Sequence, residues 1–175
     1  MVKVKVLAES ISEEKVRLVT IEAEYPRIIH CELLTHRMFS RNSASSRAIP
    51  FNKMCEQLAG IPSKFGSNKP GMQDGGNHTS KVQIIELAHN GRATISHLIP
   101  ELAWGKALES SAYYAKAFSD AGYHKQVFNR LTEPFQMIKT VISSTEWSNF
   151  LWLRDDDAAD PTIRELAVKI KEALD

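Results

Sequence analysis

Between residues 35 and 47 the chain reads Thr-His-Arg-Met-Phe-Ser-Arg-Asn-Ser-Ala-Ser-Ser-Arg, with no acidic side chain anywhere in the run. Arg37, Arg41 and Arg47 offer planar guanidinium forks suited to paired hydrogen bonds with phosphate or carboxylate oxygens, and the serine hydroxyls offer single ones. Backbone N–H groups at a turn or helix start would add to such a site. With no local carboxylate to neutralise them, these cations call for partners from elsewhere in the fold or from an anionic ligand. The chemistry indicated is anion recognition; the competing reading of a Ser/Arg-rich stretch is a solvated loop or helix cap. The flanks favour a binding segment. Ile28, Ile29, Leu33 and Leu34 lead in from a core-facing element, Ile49-Pro50-Phe51 returns the chain to apolar packing, and polar loops pinned in this way commonly carry binding residues.

The scaffold must be modest in size. At 175 residues with 43% apolar content, the chain is long enough for one domain with a real core and too short for two comfortable ones. A net charge of +1, from 22 basic and 21 acidic residues, gives no global field to attract nucleic acid or an anionic membrane, so any anion chemistry is local. Two cysteines, Cys31 and Cys55, form no Cys-x-x-Cys pair, and neither a signal peptide nor an apolar run of roughly 18 residues is present. The expectation is a cytoplasmic protein in a reducing compartment, with no membrane and no nucleic-acid partner.

Alternation of Val2, Val4 and Val6 with lysines marks a half-buried first strand, and residues 16–24 a second. Pro26 fits the first turn of a helix with Ile28, Ile29, Leu33 and Leu34 as its apolar stripe, ending near residues 35–37. A short helix over residues 51–58 precedes a Gly/Pro-rich loop at about 60–78, of the length expected of either a lid or a disordered segment. From Ser80 the pattern of Val82, Ile85 and Leu87 reads as helical, with Asn90-Gly91 as an interruption. Pro100 opens a helix whose apolar face is Trp104, Ala107, Leu108, Ala112, Ala115 and Phe118, closed by Gly122; its alanines suit either core packing or a subunit contact. Residues 124–131 form another helix before Pro134, residues 136–144 a strand, and residues 145–154 a helix. Asp160-Pro161 is an N-cap followed by proline at the first helical position, opening a terminal helix over residues 161–173.

Thr35-His36-Arg37, followed after seven residues by Ser45 and then by Arg47, resembles the signature of the flavin-dependent thymidylate synthases, the ThyX family, where the first position is Arg. Four of the five positions match. A second likeness lies downstream, in Arg130 with Pro134 four residues on and in Asn149-Phe150-Leu151-Trp152-Leu153-Arg154, similar to the family's Arg-x-x-x-Pro step and its Asn-Phe-Leu-x-Leu-Arg helix. Two motifs in order are more specific than either alone, and short members of this type are familiar from bacteriophage, which would place the protein in a host cytoplasm.

The resemblance implies an α/β single domain over residues 1–175, with a central mixed or antiparallel sheet flanked by helices. It further implies a homotetramer with sites shared between subunits, and FAD as cofactor. The implied activity is that of a methyltransferase converting dUMP to dTMP, with methylenetetrahydrofolate and NADPH as cosubstrates. By position, Arg47 and Arg130 correspond to residues that hold the dUMP phosphate, and Ser45 to a serine beside the nucleotide. Arg154 corresponds to an arginine near the uracil carbonyls and flavin; Ser45 and Arg154 are the catalytic candidates. His36, Arg37, Asn42 and Asn149 correspond to FAD-side positions.

The chain departs from the pattern at Thr35 and Ser43, at Glu32 and Ala48, and at Ser143 and Thr145, where relatives often carry Asn and Arg toward the flavin. Arg41 is a candidate replacement cation. Asp155, Asp156, Asp157 and Asp160 lack the spacing of a calcium loop, and His89 and His97 form no zinc pair, so no metal is expected. Two alternatives to thymidylate synthesis follow from the departures: a related flavin enzyme that modifies C5 of a pyrimidine nucleotide differently, for example by hydroxymethylation, and a noncatalytic nucleotide-binding homologue.

Overall fold

The computed structural model describes residues 2–71, 73, 75–87 and 91–175. Four antiparallel strands make the main sheet in the order β1-β2-β6-β3, with β1 at Lys3–Ile11, β2 at Arg17–Pro26, β3 at Ser40–Ser43 and β6 at Met137–Ser144. β4 (Val82–Leu87) and β5 (Ala93–Leu98) form a separate antiparallel hairpin. The helices are α1 (His30–Leu33), α2 (Phe51–Cys55), α3 (Pro100–Asp120), α4 (Lys125–Phe128), α5 (Ser148–Arg154) and α6 (Pro161–Leu174). Short 3-10 segments at Arg27–Ile29 and Asn129–Phe135 complete the chain. The result is a mixed α/β domain of antiparallel sheets flanked by helices.

Register explains which face of the sheet is covered. Val19, Ile21, Ala23 and Tyr25 of β2 stand opposite Ser144, Ile142, Thr140 and Ile138 of β6, and all eight are buried. The intervening residues carry the opposite face, where Lys3 lies 3.7 Å from Glu24 and Lys139 lies 3.9 Å from both Glu22 and Glu24. A period of two therefore sorts core from solvent. Ile163, Leu166, Ala167 and Ile170 of α6 recur at helical spacing, are fully buried, and pack with the sheet's inner face in one core. Each large aliphatic among them contributes about 1.5–3 kcal/mol on burial.

Three expectations are corrected. Residues from Ser80 form a hairpin and not a helix: Val82, Ile84, Ile85, Thr94 and Ile95 are β-branched, and Gly91, in the connection, takes φ +73°, in the left-handed region that favours glycine. Asn90 and His89 lie outside the described residues. Pro26 closes β2 instead of opening a helix, because it still stands in register opposite Met137 and the next residue continues the ladder, Arg27 N donating to Gln136 O at 2.8 Å; the expected helix becomes a 3-10 turn followed by the four residues of α1. The helix expected over 124–131 is only α4, and the chain tightens into a 3-10 segment that contains Pro134.

Among the described residues of 60–78 there is no helix or named strand, only an isolated bridge between Gly66 and Asn77, and the segment is tied down at its start. Gly60 N donates to Phe135 O at 2.7 Å, Trp104 Nε1 donates to Gly60 O at 2.9 Å, and a Cβ on Gly60 would meet the Gln136 carbonyl oxygen at 2.5 Å. At the start of α6, Asp160 accepts hydrogen bonds from Thr162 N at 2.8 Å and Ile163 N at 3.2 Å. Asp160→Ala should therefore cost about 1 kcal/mol of folding stability, read as a lower urea midpoint at unchanged slope; an unchanged midpoint would show that the cap contributes nothing.

Candidate functional site

The short stretch from α1 to β3 is shaped by aromatic packing. Phe39 is buried among Trp147 and Phe150, with ring centroids at 4.8 and 5.2 Å, and His36 meets Phe150 edge-on at 4.9 Å. Trp147, Phe150 and Leu151 are spaced to share one face of α5 and its N-cap, which is why that face turns inward. Asn149 and Leu153, on the adjoining face, stay exposed. The Ser144 hydroxyl, at the end of β6, bonds the Met38 carbonyl at 3.2 Å and so fixes the turn from the sheet side.

Between these elements lies a cleft of about 320 Å³ lined by Thr35, His36, Arg37, Phe39, Asn149 and Arg154, with Met38, Glu146, Phe150 and Leu153 completing it. The first motif's Thr35, His36 and Arg37 thus meet the second motif's Asn149 and Arg154 in one place. The link is direct: Arg154 Nε donates to His36 Nε2 at 3.1 Å, and Arg154 Nη1 pairs with Glu32 Oε2 at 3.0 Å. A guanidinium has only donors, so His36 must accept at Nε2 and be the neutral tautomer with its proton on Nδ1. Burial pushes the His36 pKa down, and the charges of Arg154 and Arg41 push it the same way. Burial raises the Glu32 carboxyl, an effect that Arg154 opposes. At the mouth, Glu146 is held below the usual carboxylate range by the Ser148 hydroxyl and backbone N–H.

The remaining candidates sit elsewhere on the chain. Asn42 lies on the edge strand β3, exposed, opposite Val141. Ser45 and Arg47 occupy an exposed turn closed by Ala48 N to Ser45 O at 2.9 Å. That turn docks on the segment bearing Arg130: Asn129 Nδ2 donates to Ser46 O at 2.8 Å and Ile49 O at 3.0 Å, and Ser46 Oγ bonds Glu133. The guanidinium groups of Arg37, Arg47 and Arg130 are exposed and have no protein partner among the described residues. A single chain therefore presents two groups, the cleft and the Arg47–Arg130 junction.

Arg41 does not replace the missing guanidinium of Thr35. Its position opposite Ile142 turns the side chain to the core face, where Nη1 donates to the Leu33 and His36 carbonyls at 3.0 and 3.1 Å. Thr35 Oγ1 donates to Glu32 O at 2.7 Å, Ser143 pairs with Thr20 at 2.8 Å, and Thr145 is exposed outside the cleft lining. The four aspartates are otherwise engaged: Asp155 with Lys171, Asp156 with Ala158 N, Asp157 with Arg164, and Asp160 as the cap. Among the described residues no cluster of three His, Cys, Asp or Glu could hold a metal, and no helix is long and apolar enough to cross a membrane. Glu32 and Glu146 lie at the site with no chemical role read from the sequence; Glu32 stood out there only as a departure from the family pattern.

A depressed histidine pKa means that the unfolded chain binds more protons than the folded one just below pH 6.5, so folding stability falls as pH drops through that window. His30, whose pKa is also lowered by burial, adds in the same direction. His36→Gln should lose less stability than the wild type between about pH 7 and about pH 5 in thermal unfolding; equal losses would show that His36 is not held neutral.

No protein-family model matches the chain, and no curated protein matches it in sequence. Among solved structures, the fold is similar to that of a UMP/dUMP methylase, PolB, from Streptomyces cacaoi. Its complex with 5-Br UMP has a TM-score of 0.70 at 14% identity, covering 99% of this chain and 88% of that chain. Its complex with 5-Br dUMP has a TM-score of 0.61 at 12% identity, covering 99% and 90% respectively. At these identities the likeness is one of fold, and it runs the length of the domain.

Proposed function

We propose that the protein is a methyltransferase acting at C5 of a pyrimidine nucleotide, and specifically a flavin-dependent thymidylate synthase of the ThyX type that converts dUMP to dTMP. The observation that carries this reading is the meeting of the two motifs: His36 and Arg154 are 118 residues apart in sequence and hydrogen-bonded at 3.1 Å. The fold shared with an enzyme described as a UMP/dUMP methylase supports the substrate class.

The donor set of the cleft fits part of a flavin dinucleotide. Arg37 offers an unpaired cation, Asn149 an exposed amide, and Phe39, Phe150 and Leu153 an apolar wall. Its volume of about 320 Å³ lies at the low end for ligand sites, roughly 300–1,000 Å³, so one cleft holds only a portion of so large a cofactor. A homotetramer in which each site takes the cleft of one chain and the Arg47–Arg130 junction of another would supply the rest. The long helix α3 leaves Leu102, Tyr113 and Tyr114 between 57% and 71% exposed, an apolar surface suited to such assembly.

When bound, reduced FAD supplies the hydride that turns a methylene carried from methylenetetrahydrofolate into a methyl group at C5, and NADPH recharges it. The chain's own residues bind and orient. Arg47 and Arg130 would take the phosphate in bidentate geometry, with the Ser45 hydroxyl beside them. Arg154 is held in a fixed plane by His36 and Glu32, and its Nη2, which bonds no group among the described residues, would face charge developing on the uracil carbonyls. Neutral His36 is an acceptor for Arg154 and so adds no competing cation.

Incubation of FAD-loaded protein with NADPH, methylenetetrahydrofolate and dUMP, followed by mass analysis of the nucleotide, tests the reading. One added methyl is expected; a hydroxymethyl product would move the protein to the related C5 chemistry, and absence of both flavin binding and product would leave a noncatalytic homologue. Arg47→Ala should weaken dUMP binding about 10- to 100-fold, the worth of a charged hydrogen bond of roughly 1.5–3 kcal/mol, with FAD affinity unchanged. Parallel loss of both ligands would contradict its assignment to the phosphate.

A further inference from the structure

Asn129 is 0% exposed and has no role in the reading above. Its Nδ2 reaches the carbonyls of Ser46 at 2.8 Å and Ile49 at 3.0 Å, gripping both sides of the turn that carries Arg47, while its Oδ1 has no partner. An apolar side chain of similar size would fill the space but take the donor away from the Ser46 and Ile49 carbonyls, so what the amide adds beyond packing is its hold on the turn. The other ties on that turn come from the same segment. Lys125 Nζ donates to Ala48 O at 2.8 Å, and Ser46 Oγ bonds Glu133, which Arg27 meets at 3.4 Å. Asn129 immediately precedes Arg130 as Ser46 immediately precedes Arg47, so the amide bond joins the backbone one residue before each of two unpaired guanidinium groups.

We propose that Asn129 is a positioning residue that sets Arg47 against Arg130 so that the two act as one fork on a nucleotide's phosphate monoester. The proposal rests on the nucleotide-binding reading and deepens it. Two long, exposed side chains on segments 83 residues apart can converge on one anion only if their backbone anchors are fixed relative to each other. Without the clamp both charges remain, and what is lost is their joint geometry. The effect should therefore fall on phosphate recognition and spare contacts to the base and sugar.

Calorimetric titration of the full-length protein with dUMP and with deoxyuridine, which lacks only the phosphate, separates these contributions. The wild type should prefer dUMP by at least about tenfold, and Asn129→Leu should shrink that preference at least about fivefold while deoxyuridine affinity stays level. Asn129→Ser, whose shorter side chain cannot bridge the Ser46 and Ile49 carbonyls and which adds no charge, should shrink it in the same direction and decides the matter if Asn129→Leu fails to fold. A folded Asn129→Leu that keeps the full preference, or that loses both ligands in equal proportion, overturns the positioning role; so does an intact preference in Asn129→Ser when that variant must decide. A wild type with no phosphate preference removes the nucleotide reading itself, a failure visible before any variant is made.

Discussion

The guanidinium of Arg154, held between Glu32 and the His36 ring, is the interaction on which the site depends. It joins the last turn of α5 to the end of α1 and the turn beyond. Because Arg154 donates to both partners, it dictates their states: His36 neutral at Nε2, Glu32 as the charge partner. The pair is 21% and 40% exposed at Arg154 and Glu32, so solvent screens it and its net worth to stability is small. Its value is geometric. The aromatic cluster of Phe39, Trp147 and Phe150 supplies the burial that holds the two elements together, and the arginine selects how they face each other.

Much of this was legible in the sequence where one physical signal acted alone. The Val2-Val4-Val6 alternation gave β1, Asp160-Pro161 gave the start of α6, and Pro100 with Gly122 bracketed α3, since caps and strand alternation are set locally. The hairpin of β4 and β5 was not, for a reason its burial explains: almost every residue in it is exposed, so neither face had to be kept apolar and no period of two was written into it. Its turn signal at Asn90-Gly91 was present and is a hairpin signal first. Pro26 was ambiguous for a related reason. Proline suits the start of a helix and the end of a strand alike, and only pairing with Met137 settles which.

Within the site, residue identities were legible and directions were not. Arg37 and Arg41 look alike in the sequence, yet the first points to solvent and the second to the carbonyls of Leu33 and His36, because register against β6 puts position 41 on the core face. Glu32 carries no motif at all. It matters because α1 ends opposite α5, a tertiary fact. The same holds for Asn129, whose partners lie about eighty residues earlier in the chain.

β3 then imposes the constraint that links the two groups of candidates. Its four residues run from the cleft to the Ser45–Arg47 turn, and at about 3.4 Å per residue they separate the two ends by roughly 10 Å. Pairing with β6 along its whole length, and the anchoring of the following turn on Asn129, leave no slack by which the ends could close on each other. A ligand that engages both Arg37 and Arg47 of one chain must span that strand. Under the proposed reading, a second copy that brought its own turn to the cleft would let a smaller ligand engage such a pair, which is why a shared site would suit a chain whose cleft and arginine junction are set apart by an edge strand.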